Sequence, residues 1–174
     1  MTRATVADFR VEPLARRHDR AAFVCGVEHL DAYLKTRASQ DMRRKANAVF
    51  VMVPHGSPTG IAGYFTLCAY TLAPGDVPDA ARKHIARYPL VSATLIGRLA
   101  IAKKYQGQGL GSVLLARALR KAYHNASSVG SSMVVVDATD ENAARWYEAH
   151  GFIRLPESRR LVIPMRTITG LVEE

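Results

Sequence analysis

Cysteine is scarce: 2 of 174 residues, Cys25 and Cys68, with no Cys-x-x-Cys pair. That disfavours a zinc knuckle, a dithiol redox motif and a disulfide-dense secreted fold, and both thiols are expected as reduced core residues. Long apolar runs are missing too. None approaches the roughly 18 residues of a membrane helix, and Met1 to Pro13 holds neither an apolar h-region nor a small-residue cleavage site. No membrane partner is expected, and the cytoplasm is the expected compartment. The six histidines show no metal-ligand spacing, so no metal is expected. Repeats, linkers and low-complexity tracts are lacking as well. What the chain has is 48% apolar and 22% charged residues, which favours one folded domain spanning 1–174 over disorder. It also has 24 Lys plus Arg against 15 Asp plus Glu, a net charge of +9. That balance makes a polyanionic partner worth considering, although it equally serves solubility.

Residue spacing supplies the elements. Phe9 to Leu14 reads as an edge strand ended by Pro13, followed by a loop at Arg16 to Asp19. Leu30, Leu34 and Ala38 recur every four residues beside Tyr33, which predicts one amphipathic helix from about Glu28 to Asp41. Ala48 to Val53 and Ile61 to Ala69 read as an antiparallel pair turned by Pro54, Gly56, Pro58 and Gly60. Pro74, Gly75 and Pro78 open a loop, Asp79 is a candidate cap for a short helix through Ile85, and Pro89 ends that segment. The second half alternates differently. Strand Ala93 to Ile101, a glycine loop, helix Gly111 to Ala126 and strand Met133 to Ala138 form a βαβ unit with parallel strands and a right-handed crossover. Thr139 and Asp140 precede a helix from Asn142 to His150, Gly151 stands where a left-handed cap belongs, and strands follow around Phe152 to Leu155 and Leu161 to Met165. The fold class is α+β with a mixed central sheet.

Gln106-Gly107-Gln108-Gly109-Leu110-Gly111 lies between a strand and a helix, where backbone N–H groups freed of side chains converge on an anion. Ser112 follows without the lysine of a Walker loop, and the third glycine of a dinucleotide fingerprint is misplaced. As Gln-x-x-Gly-x-Gly, however, Gln106, Gly109 and Gly111 resemble the pyrophosphate loop of GNAT acetyltransferases. Asn142-Ala143-Ala144-Arg145-Trp146-Tyr147-Glu148-Ala149-His150-Gly151-Phe152 resembles their second signature. The resemblance implies the GNAT fold, a mixed sheet with a βαβ acetyl-CoA-binding unit flanked by helices. It implies acetyl-CoA as co-substrate, held by Leu99, Ala100, Ile101, Gln106, Gly107, Gln108, Gly109, Leu110, Gly111 and Ser112, with Asn142 and Arg145 in support. It makes Tyr147 the general acid for the departing thiolate. Trp146 and Phe152 are expected in the core.

Phe23-Val24-Cys25-Gly26, Leu30-Asp31-Tyr33-Leu34, Gln40-Asp41, Phe50-Val51, Ile96-Gly97-Arg98-Leu99-Ala100 and Ser158-Arg159-Arg160-Leu161 extend the likeness over nearly the whole chain. Together they resemble the toxin branch of the family. That implies acetyl transfer to the amino acid of aminoacyl-tRNA and inhibition of translation. It also implies a ribbon-helix-helix antitoxin, operator DNA reached only through it, transcription repression, and a homodimer. The chemistry suits such an acceptor. An α-amine with pKa about 7.7–8.0 is roughly 10% neutral at pH 7, whereas a lysine near 10.4 is below about 0.1%. A dedicated base is then dispensable, and Glu141, Glu148 and His150 are read as solvated or capping groups. Arg43, Arg44, Lys45, Arg159 and Arg160 are the candidate RNA contacts; Arg37 precedes the first group near the end of the first helix, and Lys103, Lys104 and Arg154 are expected to flank the active face with Arg159 and Arg160. Two other readings compete: a housekeeping N-acetyltransferase for a small amine or protein, and a co-repressor whose main role is to bind the antitoxin.

Overall fold

The computed structural model describes Thr5 and residues 8–172. Among the described residues seven strands run in the order β1-β2-β3-β4-β5-β7-β6. They are β1 (Phe9–Pro13), β2 (Ala48–Pro54), β3 (Gly63–Leu72), β4 (Val91–Ile101), β5 (Met133–Asp137), β6 (Ile153–Arg154) and β7 (Arg160–Pro164). The helices are α1 (Glu28–Thr36), α2 (Ala38–Arg43), α3 (Asp79–Arg82), α4 (Leu110–Asn125), α5 (Glu141–Ala149) and α6 (Met165–Val172). The β1–β2, β2–β3, β5–β7 and β6–β7 pairs are antiparallel, while β4 and β5 are parallel through Ala93–Met133, Thr94–Val134 and Leu95–Val135. The sheet is therefore mixed, with α4 between its parallel strands in sequence, as the alternation in the second half predicts.

The chain divides into two compact units, one of residues up to 67 with 98–118, the other of 68–97 with residues from 119 on. In the first, Leu14, Phe23, Tyr33, Leu34, Ala38, Val49, Val51, Val53, Tyr64, Ala100 and Ala102 share one apolar cluster. In the second, Leu72, Val77, Ala81, Val91, Ala93, Met133, Val135 and Val162 form another. Burial is continuous on β5, where Met133 to Val136 are all buried, as a strand covered on both faces requires.

Several expectations need correction. The single helix over Glu28 to Asp41 is two, because Arg37 takes φ −118° and breaks the helical run. The break seats Ala38 fully in the core, and Asp41 accepts a 2.8 Å hydrogen bond from the Tyr33 hydroxyl. Asp79 does not cap α3. Pro78 is the N-cap, Asp79 opens the first turn, and the helix stops at Arg82, short of Ile85. The final strand gives way at Met165 to α6, whose Met165 and Ile168 are buried. Cys25 is buried but Cys68 only half-buried. Burial, reinforced by Asp31, pushes the Cys25 thiol up to about 11 and leaves it an unreactive core group. His18 is satisfied internally. Its Nδ1 accepts from the Ala15 N–H at 2.9 Å, so Nε2 carries the proton and donates to Glu12 at 2.6 Å.

Candidate active site

In the first unit, β4 ends at Ile101 and a single 3-10 turn, Lys103–Tyr105, leads into the glycine loop. Gly107 and Gly109 have φ of +78° and +77°, left-handed values that cost an L side chain about 1–2 kcal/mol. With Gln108 between them, they turn the chain into α4, whose first four N–H groups have no intrahelical acceptor. Such a turn at the start of a 16-residue helix concentrates N–H donors and positive dipole where a phosphate would sit. Gln106, expected among the cofactor contacts, is engaged within the protein. Its side-chain nitrogen donates to the carbonyls of Cys25 and Ile101, each at 2.8 Å. Leu99 and Ile101 are half-buried, Ala100 and Leu110 buried, and Gly107, Gly109 and Ser112 exposed.

In the second unit, Asp140 caps α5 by accepting from the Ala143 N–H at 2.8 Å, and Gly151 closes the helix with φ +94°. Tyr147 lies on this helix with its ring edge-on to Trp146 at 5.0 Å and to Phe152 at 5.3 Å between centroids. Phe152 is buried as expected. Trp146 is only half-buried and packs on His150 at 4.3 Å rather than entering the core. Burial pushes the Tyr147 hydroxyl up to about 12, so it remains a protonated donor through the neutral range. Asn142 and Arg145 are exposed and joined by a hydrogen bond from the guanidinium to the Asn142 side-chain oxygen.

The acidic groups flanking Tyr147 turn to arginine. Glu141 pairs with Arg154, and Glu148 approaches the same guanidinium at 3.6 Å. The Glu141 carboxyl is thereby held below its ordinary range, chiefly by its hydrogen bond from Arg154. The imidazole of His150 meets the Trp146 carbonyl at 2.7 Å. Arg160 is likewise committed, with two bonds to Asp137 at 2.8 and 3.1 Å and one to the Tyr70 hydroxyl at 2.9 Å. Its positive charge is largely compensated. Arg159 is exposed and reaches the Thr139 carbonyl, while Arg43, Arg44 and Lys45 are exposed at the end of α2 in the first unit, with Lys45 left-handed at φ 60°.

One arrangement had no counterpart among the expected site residues. The Arg98 guanidinium lies 3.5 Å from the centroid of the Tyr33 ring, which stacks in turn on Tyr64 at 6.4 Å. The Tyr33 hydroxyl is fixed on Asp41, whose same oxygen takes a 3.0 Å bond from Asn47. Burial and the Asp41 carboxylate push the Tyr33 hydroxyl up to about 12, so this anchor stays protonated. Only the Gly-Arg-Leu string on β4 marked Arg98 in the sequence.

Among the described residues no group of three or more His, Cys, Asp or Glu is placed to hold a metal, and no helix is long and apolar enough to cross a membrane.

Residues 48–154 match the acetyltransferase (GNAT) domain family. A probable toxin TacT of Sinorhizobium fredii is 28% identical over 171 residues, 93% of this chain and 94% of that protein. A tRNA-acetylating toxin of Mycobacterium tuberculosis is 29% identical over 155 residues, 88% of this chain and 90% of that protein. Among solved structures, AtaT complexed with acetyl-methionyl-tRNAfMet superposes with a TM-score of 0.85 at 27% identity, covering 94% of this chain and 99% of that one. A tyrosine-to-phenylalanine AtaT mutant bound to the antitoxin AtaR C-terminus and acetyl-CoA gives 0.80 at 26% identity, covering 96% and 99%. A KacTA–DNA complex gives 0.77 at 27% identity, covering 95% and 98%.

Proposed function

This chain belongs to the GNAT acetyltransferase family, and on that premise we propose that it is a toxin that moves acetyl from acetyl-CoA to the α-amine of aminoacyl-tRNA, blocking translation until a cognate antitoxin neutralises it. The observation that carries this reading is the two-glycine turn at the N-terminus of α4 in a chain whose relatives along nine-tenths of its length include a tRNA-acetylating toxin. Residues 1–174 act as one catalytic domain. Backbone groups of Leu99, Ala100 and Ile101 hold the pantetheine arm and acetyl carbonyl. Gly107 to Ser112 cradle the pyrophosphate, Gln106 sets the loop, and Asn142 and Arg145 support it.

The neutral amine attacks the thioester carbonyl, the C–S bond breaks, and the Tyr147 hydroxyl donates its proton to the leaving sulfur while the amine gives its own to solvent. No metal is required, since proton donation and backbone hydrogen bonds supply the stabilisation. Arg43, Arg44, Lys45 and Arg159 contact RNA phosphates, with the compensated Arg160 contributing less. The antitoxin is of the ribbon-helix-helix kind and carries the complex to operator DNA, repressing transcription. The toxin works in the cytoplasm as a homodimer.

Labelled acetyl-CoA offered with total charged tRNA, with deacylated tRNA as control, tests this. Label on the charged pool alone supports the reading. Label on free polyamine or peptide instead identifies a housekeeping acetyltransferase, and no transfer at all leaves a co-repressor.

A further inference from the structure

Arg98 is half-buried, and among the described residues its guanidinium makes no hydrogen bond and no ion pair; it lies over the Tyr33 ring and within electrostatic reach of the Asp41 carboxylate. None of its nitrogens is a buried unpartnered atom, so the fork keeps solvent-accessible donors free for a ligand. Its support is rigid. Tyr33 is buried, its hydroxyl is tied to Asp41, and its ring is backed by Tyr64, whose own hydroxyl donates to the Leu30 carbonyl at 2.6 Å. Stacking on a fixed ring removes most of the freedom an arginine fork otherwise loses on binding.

Position on the strand narrows the ligand. Side chains alternate along β4, so Arg98 shares a face with Ala100, and Ala100 belongs to the cluster containing Tyr33 and Tyr64. Leu99, the next residue, begins the segment assigned to the pantetheine arm. The phosphates of acetyl-CoA are assigned to the glycine loop after the strand ends, so they are accounted for elsewhere. A planar, permanently charged fork matches a phosphate in bidentate geometry. We propose that Arg98, presented on Tyr33, is an acceptor-recognition residue that binds a backbone phosphate of the RNA close to its aminoacylated end. This rests on the aminoacyl-tRNA reading above.

The test compares the parent with Arg98→Gln and Arg98→Lys, using total charged tRNA and, as a phosphate-free acceptor with the same amine and ester, aminoacyl-adenosine. Arg98→Gln should raise KM for charged tRNA about tenfold or more. It should lower the slope of log affinity against log salt by about 0.7–0.9, and leave acetyl-CoA affinity and turnover of aminoacyl-adenosine within about twofold. Arg98→Lys, which keeps the charge but loses the fork and the stack, should fall between. An equal loss on both acceptors, a loss of acetyl-CoA affinity, or a lowered thermal midpoint with an unchanged KM for tRNA each overturns the assignment in favour of a packing or cofactor role. Should Arg98→Gln fail to fold, Arg98→Lys decides: a KM and salt slope equal to the parent's overturn it. A parent that acetylates aminoacyl-adenosine and ignores charged tRNA defeats the tRNA reading itself. An active parent with an indifferent Arg98 defeats only this inference.

Discussion

The side-chain nitrogen of Gln106 donates to the backbone carbonyl of Cys25 at 2.8 Å, joining residues 81 positions apart. The same nitrogen also bonds the Ile101 carbonyl, so one amide ties the entry of the glycine loop to the end of β4 and to the segment before α1. Gln106→Leu leaves two carbonyls without this donor and should cost about 1–3 kcal/mol of stability. Acetyl-CoA affinity should fall with it, because the loop loses its anchor. Chemical denaturation and calorimetry read the two effects. Unchanged stability would show that the amide is not a strut.

The glycine turn separates conformational strain from ligand repulsion. A Cβ at Gly107 meets nothing within 4 Å, so Gly107→Ala should cost only the backbone strain of about 1–2 kcal/mol. Gly109→Glu adds a carboxylate where phosphate is proposed to sit, and it should abolish measurable acetyl-CoA binding while the protein stays folded. Calorimetric affinity equal to the parent's would place the pyrophosphate elsewhere.

Local chemistry was legible in the sequence at several positions, though not at Asp79, where Pro78 takes the cap; contacts between distant segments were not. The Asp140 cap, the Gly151 turn and the glycine loop each depend on residue type at one place, and each was found where the spacing put it. The four-residue apolar spacing through Leu30, Leu34 and Ala38 continues across Arg37, so it hid a break made by tertiary packing of Ala38 and by the Tyr33–Asp41 bond. Met165 to Val172 includes two threonines, an isoleucine and Gly170, a poor helix by propensity, and burial of Met165 and Ile168 overrides that preference. The Gln106 strut and the pairing of Arg160 with Asp137 and Tyr70 required the fold before they had partners at all.

Thr66 is fully buried on β3, and among the described residues its hydroxyl is the buried side-chain polar atom without a hydrogen-bond partner. Valine has the same shape without the polar atom. Thr66→Val should therefore raise stability by about 1 kcal/mol or more, read as a higher denaturation midpoint at constant m. A loss of stability would reveal a partner for the hydroxyl.

Acid should loosen the β1 edge of the first unit. Hydrogen bonds from Arg10 first, then His18 and Arg17, hold the Glu12 carboxyl down at about 2, against 4.5 for the free group. The folded value lies below the unfolded one. This contribution is therefore complete above about pH 5 and is lost as pH falls from about 4.5 toward 2. Glu12→Gln should lower the thermal midpoint at pH 7 and flatten its decline between pH 5 and 3. Parallel melting curves for the two proteins across that range would mean the carboxylate contributes nothing.

The most direct test of the catalytic account is the single-turnover rate of acetyl transfer to charged tRNA by Tyr147→Phe, measured at saturating acetyl-CoA beside its thermal midpoint. The substitution keeps the ring that packs on Trp146 and Phe152 and removes only the hydroxyl. The account predicts a rate about 100-fold to 10,000-fold lower, with folding and acetyl-CoA affinity preserved. A rate within about threefold of the parent, with or without a lower midpoint, would contradict it, because the hydroxyl would then be packing rather than delivering the proton to sulfur.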